Sequence, residues 1–171
     1  MTPDGNHTTA EPPLVGRYNI DTGSSTVIFR TAHMFGLGPV RGTFAIVSGT
    51  ADIAEPLAGS AVHVELDAAS FTTGSKGRDG AIRSARFLDA AGHPTITYET
   101  GSITESTLTG TLTVRDVSQP VTLTIEEYAQ TPKGFTARAT TRIDRMAFGV
   151  KAARGMAQRH LDVELQVTFV R

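Results

Sequence analysis

The chain contains no cysteine and no tryptophan, and aromatic residues make up only 6% of its 171 positions. Without cysteine there are no disulfides, no thiolate nucleophiles and no thiolate-ligated metals. Neither sign of charge dominates: 16 Lys and Arg stand against 17 Asp and Glu, for a formal net charge of −1. No global field therefore draws the chain to nucleic acid or to an anionic membrane. No run approaches the roughly 18 apolar residues of a membrane helix. The opening MTPDGNHTTAEPP carries Asp4 and Glu11 and no apolar core, so no secretory signal is visible and a cytoplasmic location is expected. There is no internal repeat and no G-x-S-x-G, P-loop or H-E-x-x-H motif. None of the five histidines pairs with another at a metal-ligand spacing.

What is present is alternation. From Leu161 onward, Leu161, Val163, Leu165, Val167 and Phe169 alternate with Asp162, Glu164, Gln166 and Thr168, the period-two mark of a strand with one dry face. The pattern recurs over 25–33, 40–48, 61–67, 95–100, 107–115, 121–126 and 134–144. Turn signals separate the segments at Gly49, Pro56 and Gly59, Gly101, Ser118-Gln119-Pro120 and Pro132-Lys133-Gly134. The first fifteen or so residues are polar and aperiodic and read as a flexible tail, residues 16–171 as one domain.

About eight strands with hairpin-length links predict an all-β antiparallel sheet. Closing it into an eight-stranded barrel removes the exposed edges; a two-sheet sandwich competes on periodicity alone. One stretch, Ser75–Pro94, loses the alternation and turns to Ala and Arg. Asp79 as N-cap and Gly92 and Pro94 as stops predict a short helix near residues 79–90, with Ile82, Phe87 and Leu88 available to face inward.

The last strand is long. Ten residues rise roughly 33 Å, or roughly 25 Å along the axis of a barrel whose strands tilt about 40°. Several inward positions are small: Ala137, Ala139 and Thr141 between Phe135 and Ile143, Gly110 between Leu108 and Leu112, and Gly42 before Phe44. A void of about 300 Å³ would cost about 7 kcal/mol, comparable with the roughly 5–15 kcal/mol stability of a whole domain. Such a bore is either plugged by its own side chains or occupied by a guest. Each buried methylene contributes about 0.8 kcal/mol against an association cost of about 4–15 kcal/mol, which favours a long slender lipid. His33 extends the Val27–Phe29 face toward a barrel mouth, and Arg78 opens the presumed helix. Residues 145–159 interleave apolar residues with four cations and no acids; such a stretch is a solvated face or a receiver of an anionic head group.

Beyond these patterns, the chain resembles the YceI-like family of bacterial polyisoprenoid-binding, lipocalin-like barrels. The carrying residues are Tyr18-Asn19-Ile20-Asp21 with Ser25, Phe29 and His33; Val40-Arg41-Gly42-Thr43-Phe44; RDGAIRSARFLD (78–89) with His93-Pro94; LTVRDVSQPVTL (112–123); and Arg145 with Phe148-Gly149-Val150. Ala81 stands where the family's helix motif has histidine, and Asp116 where it has a turn glycine. The resemblance implies an extended eight-stranded barrel with a helix, enclosing an apolar tunnel for isoprenoid chains and often forming a homodimer. The expected cargo is a polyprenyl lipid, an isoprenoid quinone or a related amphiphile, bound without catalysis and with no required cofactor or metal. Expected tunnel residues are Val27, Phe29, Phe44, Ile46, Val64, Leu66, Phe87, Leu88, Leu112, Leu123, Phe148, Val163 and Leu165, with His33 and Arg78 at the polar end. Two rivals are an enzyme acting on such a lipid through His33 or Asp79, and a structural barrel with a filled core.

Overall fold

A computed structural model describes residues 11–31, 39–151 and 159–171. His33 lies outside the described residues. The elements are β1 (Gly16–Ile20), β2 (Thr26–Thr31), β3 (Val40–Phe44), β4 (Ile46–Ile53), β5 (Ala61–Asp67), α1 (Lys76–Arg83), β6 (Thr95–Ile103), β7 (Thr107–Val114), β8 (Val117–Thr131), β9 (Gly134–Asp144) and β10 (His160–Val170). Every ladder is antiparallel. The order β1-β4-β5-β6-β7-β8-β9-β10 closes on itself where Asn19 and Ile20 meet Val170 and Phe169.

The two remaining strands extend existing positions. β2 pairs with β10 just beyond β1, Val27 opposite Leu165 and Phe29 opposite Val163. The two strands form one interrupted edge, broken where the Asp21 carboxylate accepts from Gly23 N and Ser24 Oγ, both at 3.1 Å. Likewise β3 and β4 are consecutive except for Ala45, and they pair with β2 and β1 respectively. The result is a closed eight-stranded antiparallel barrel with two extra strands and a helix, the architecture expected from removal of the sheet edges and from the family resemblance, and not the two-sheet sandwich that periodicity left open. Closure disposes of the free edges that an open sheet would expose.

Three local features differ from the sequence expectation. The β7–β8 turn is not at Ser118-Gln119-Pro120 but at Arg115-Asp116, where the family resemblance has its turn glycine; both residues are left-handed (φ 53° and 62°), as a two-residue hairpin of this hand requires. Ser118-Gln119-Pro120 lies inside β8, while Gly49 and Gly101 fall within β4 and β6. Gly101 marks a register shift between Thr100 and Ser102. The helix starts earlier and ends sooner than expected, with Ser75 as N-cap. Asp79 turns back instead: its carboxylate accepts from Thr73 N (2.8 Å), Thr73 Oγ1 (2.6 Å) and Thr72 Oγ1 (3.1 Å).

The insertion between β5 and β6, the β7–β8 hairpin and residues 145–151 after β9 gather at one end, the upper end. The β4–β5, β6–β7 and β8–β9 turns lie at the lower end with the carbonyls of Pro12 and Leu14, which accept from Gln130 Nε2 (2.8 Å) and Tyr18 Oη (2.7 Å).

Candidate functional site

Inward residues of the strands enclose a cavity of about 260 Å³ whose wall presents no polar surface. The alternation of β10 supplies Leu161, Val163, Leu165, Val167 and Phe169, and β9 supplies Ala137, Ala139, Thr141 and Ile143. Cross-strand register puts Ala139 between Leu165 of β10 and Ile125 of β8. The small side chains of β9 therefore leave one wall recessed, and the barrel is not filled by its own residues.

The glycines work otherwise. A Cβ on Gly42 would stand 2.3 Å from the Phe29 ring, and one on Gly110 would stand 2.2 Å from the Glu99 carbonyl oxygen. Gly42 is the seat of an aromatic ring, and Gly110 allows β6 to approach β7 closely. Neither opens the bore. Tyr98 Oη reaches past Gly110 to the Val121 carbonyl at 2.8 Å and the Leu108 carbonyl at 3.3 Å. Burial pushes the Tyr98 hydroxyl up to about 12, so it stays neutral.

Packed rings stand at both ends among the described residues. Above, Phe71 stacks on Phe29 (centroids 4.9 Å, 25°) and meets Phe44 edge-on (5.3 Å, 64°). Ile82, Phe87, Phe148 and Val150 complete this cluster, all buried. The cap is tied down: Arg83 Nε and Nη2 donate to the Phe71 carbonyl, Arg115 Nη1 donates to that of Phe87 (3.0 Å), and His93 Nδ1 sits 3.2 Å from Asp116. Below, Phe169 stacks on Phe135 (5.0 Å, 21°), Tyr18 meets Phe135 edge-on (5.0 Å, 78°), and the Arg171 guanidinium lies 5.1 Å above Tyr18.

Of the expected tunnel residues, Val27, Phe29, Phe44, Val64, Leu66, Phe87, Leu88, Leu112, Leu123, Phe148, Val163 and Leu165 all face the cavity. Ile46 does not. It stands at the upper start of β4 opposite Leu66, buried in the cluster that holds Tyr18, Ile20 and Ala51, beside a register shift between Ile46 and Ser48. Arg78 also lies away from the wall: its Nε donates to Thr73 Oγ1 at 2.8 Å, completing the hydrogen-bonded cluster around Asp79.

The cation that reaches the wall is Arg145, 6% exposed. Its Nη1 donates to the Val150 carbonyl at 2.8 Å and its guanidinium lies 5.8 Å from the Phe87 ring centroid. Burial pulls its pKa down while neighbouring Asp144 pushes it up. Asp144 is gripped by Arg159 through two bonds of 2.9 and 2.8 Å, which, with the Met146 N–H, hold its carboxyl below the usual range against a smaller effect of burial. The run of cations without acids over 145–159 was the sequence signal for Arg145. Ile82 was legible as an inward residue of the presumed helix and Tyr98 from the alternation over 95–100, whereas Phe71 carried no comparable signal. Asp79 is off the wall with both oxygens engaged; burial raises its pKa, but the bonds from Thr73 and Thr72 and the charge of Arg83 outweigh that and lower it. Among the described residues there is no group of His, Asp or Glu fit to hold a metal.

A closed eight-stranded antiparallel barrel around an apolar hollow defines a lipocalin-like fold. The family model described as "YceI-like domain" matches residues 18–170, and the chain belongs to that family. A UPF0312 protein of Azotobacter vinelandii is 32% identical over 157 residues, 85% of this chain and 81% of that one. In fold, the chain is similar to Burkholderia cenocepacia BcnA (TM-score 0.76, 20% identity, 86% of this chain and 98% of that one). It is also similar to a polyisoprenoid binding domain from Saccharophagus degradans implicated in plant cell wall breakdown (TM-score 0.68, 13% identity, 90% and 97% covered).

Proposed function

We propose that this protein is a non-catalytic carrier or store for one long, slender amphiphile, an isoprenoid alcohol, polyprenyl phosphate, isoprenoid quinone or similar chain. The observation that carries this reading is the unfilled apolar cavity. At about 24 cal/mol per Å³, 260 Å³ of vacancy costs about 6 kcal/mol, a large fraction of a domain's stability. A hydrocarbon that fills the space recovers much of that cost and adds its own transfer energy. The similarity to a domain described as polyisoprenoid-binding supports a chain built of isoprene units. Arg145 borders the wall, and turning its guanidinium inward would bring it to a phosphate or carbonyl end.

The titratable side chains on the described wall are Tyr98 and Arg145, and neither exchanges a proton readily near neutral pH, which favours carriage over acid–base turnover. Organic extraction of the purified protein followed by mass spectrometry tests the proposal. A prenyl chain in near-stoichiometric amount is expected; an empty extract, together with no uptake of added geranylgeraniol, overturns it.

A further inference from the structure

The barrel wall has a seam. β8 and β9 pair from Thr131–Gly134 up to Thr124–Thr140 and no further, although β8 runs on to Val117 and β9 to Asp144. Over that length each keeps its other neighbour, β8 as far as Val114–Val117 and β9 as far as Asp144–His160. Two strand edges thus face each other without a ladder. Pro120 fits this arrangement. It has no N–H to donate, and proline is tolerated in strands where the missing donor faces an open edge. The β7–β8 ladder passes through Thr111–Pro120 unbroken, which leaves the seam as the side that lacks the donor.

In place of a ladder, side chains reach across. Thr141 Oγ1 donates to the Thr122 carbonyl at 2.9 Å, and above it Gln119 Nε2 donates to the Ala147 carbonyl at 3.1 Å. Inside the seam is the cavity, with Val121, Leu123, Thr141 and Ile143 on its wall. Outside is a polar groove edged by Thr122, Thr140, Arg142 and Asp162, and Thr141 and Val163 border both spaces. One layer of residues separates hollow from solvent there. Among the described residues both barrel ends present stacked or tightly packed rings instead. Parting two hydrogen bonds disturbs far less buried surface than displacing either set of rings, and a slot suits a chain-like guest. Its outer lip offers hydroxyls and charged groups to the polar end of an amphiphile that pauses there.

We propose that the hydrocarbon crosses the wall through the seam between β8 and β9, and that Thr141 and Gln119 hold this seam shut. The inference rests on the reading of the cavity as a lipid container. Because the chain has no cysteine, Thr122→Cys with Arg142→Cys introduces the sole pair of thiols, at positions that would oppose each other if the Thr124–Thr140 register continued upward. The protein is loaded with tritiated geranylgeraniol, cross-linked by disulfide or a short bismaleimide, and its release to excess cyclodextrin is timed. Release should slow by more than an order of magnitude, and reduction of the disulfide should restore it.

A second variant serves if the cross-link disturbs folding. Thr141→Val keeps the shape but removes the bond to Thr122, and should speed uptake and release alike by roughly five-fold, the factor carried by one neutral hydrogen bond. Release unaffected by the cross-link, or a Thr141→Val effect confined to one direction, overturns the seam as the route and leaves the container reading standing. A wild-type protein that takes up no geranylgeraniol overturns the container reading itself.

Discussion

Ala139→Phe asks whether the interior is hollow, because the answer changes the sign of the result. Ala139 is 8% exposed, midway along the recessed β9 wall, between Leu165 and Ile125. A benzyl group there projects into the 260 Å³ cavity. Removing roughly 150 Å² of ring surface from water at about 25 cal/mol per Å² is worth at most about 4 kcal/mol. Incomplete contact with the far wall, lost rotamer freedom and the burial already present in the unfolded chain reduce this. A net gain of about 1–2 kcal/mol remains, which for a chain of this size raises Tm by about 2–8 °C. In a barrel packed to normal density the same ring would cost about 1–3 kcal/mol by overpacking.

The assay is thermal and urea unfolding of delipidated wild type and variant, with geranylgeraniol binding measured on both. The variant should be the more stable and the weaker binder. A variant destabilised by more than about 1 kcal/mol that still binds normally would refute the hollow interior.

Two further outcomes test the frame around the cavity. Asp79→Asn weakens the cluster that holds the upper insertion, and hydrogen bonds to a buried carboxylate predict a loss of about 2 kcal/mol at neutral pH. The folded-state pKa of Asp79 lies below its ordinary 3.8, so its contribution is full above that value and fades as pH falls through the folded pKa; the urea midpoints of wild type and variant should converge in acid, and a gap that widens there would contradict the sign. Gly110→Ala forces a Cβ to within 2.2 Å of the Glu99 carbonyl oxygen and should cost about 2 kcal/mol or more through backbone displacement, read as a lower Tm, whereas a neutral result would show that β6 and β7 part easily.

The strands and their dry faces could be read from period two alone, because each inward residue of β10 and β9 is set by alternation, whereas closure into a barrel rested on the cost of exposed edges. The same reasoning failed where the strands are irregular. Ile46 follows the single break at Ala45 and precedes a register shift at Ser48, and one extra residue re-aims a side chain without changing the hydrophobic pattern. The β7–β8 turn carries Arg115 and Asp116 in left-handed conformations that glycine or asparagine would have signalled. Pro120 suggested a turn because proline rarely sits within a sheet, and it sits in this one where the ladder to β9 is missing. Inward glycines suggested empty space, yet Gly42 is filled by a ring and Gly110 by a neighbouring backbone. The cap depends on contacts between Phe71, Ile82 and Phe148, distant in sequence, which no local pattern encodes.

Equilibrium titration of the delipidated protein with geranylgeraniol, followed by native mass spectrometry, tests the account most directly. Saturable uptake of one chain per barrel, weakened by Ala139→Phe, is the predicted result. No saturable binding, or binding that the added ring leaves unchanged, would contradict a hollow built to hold a lipid.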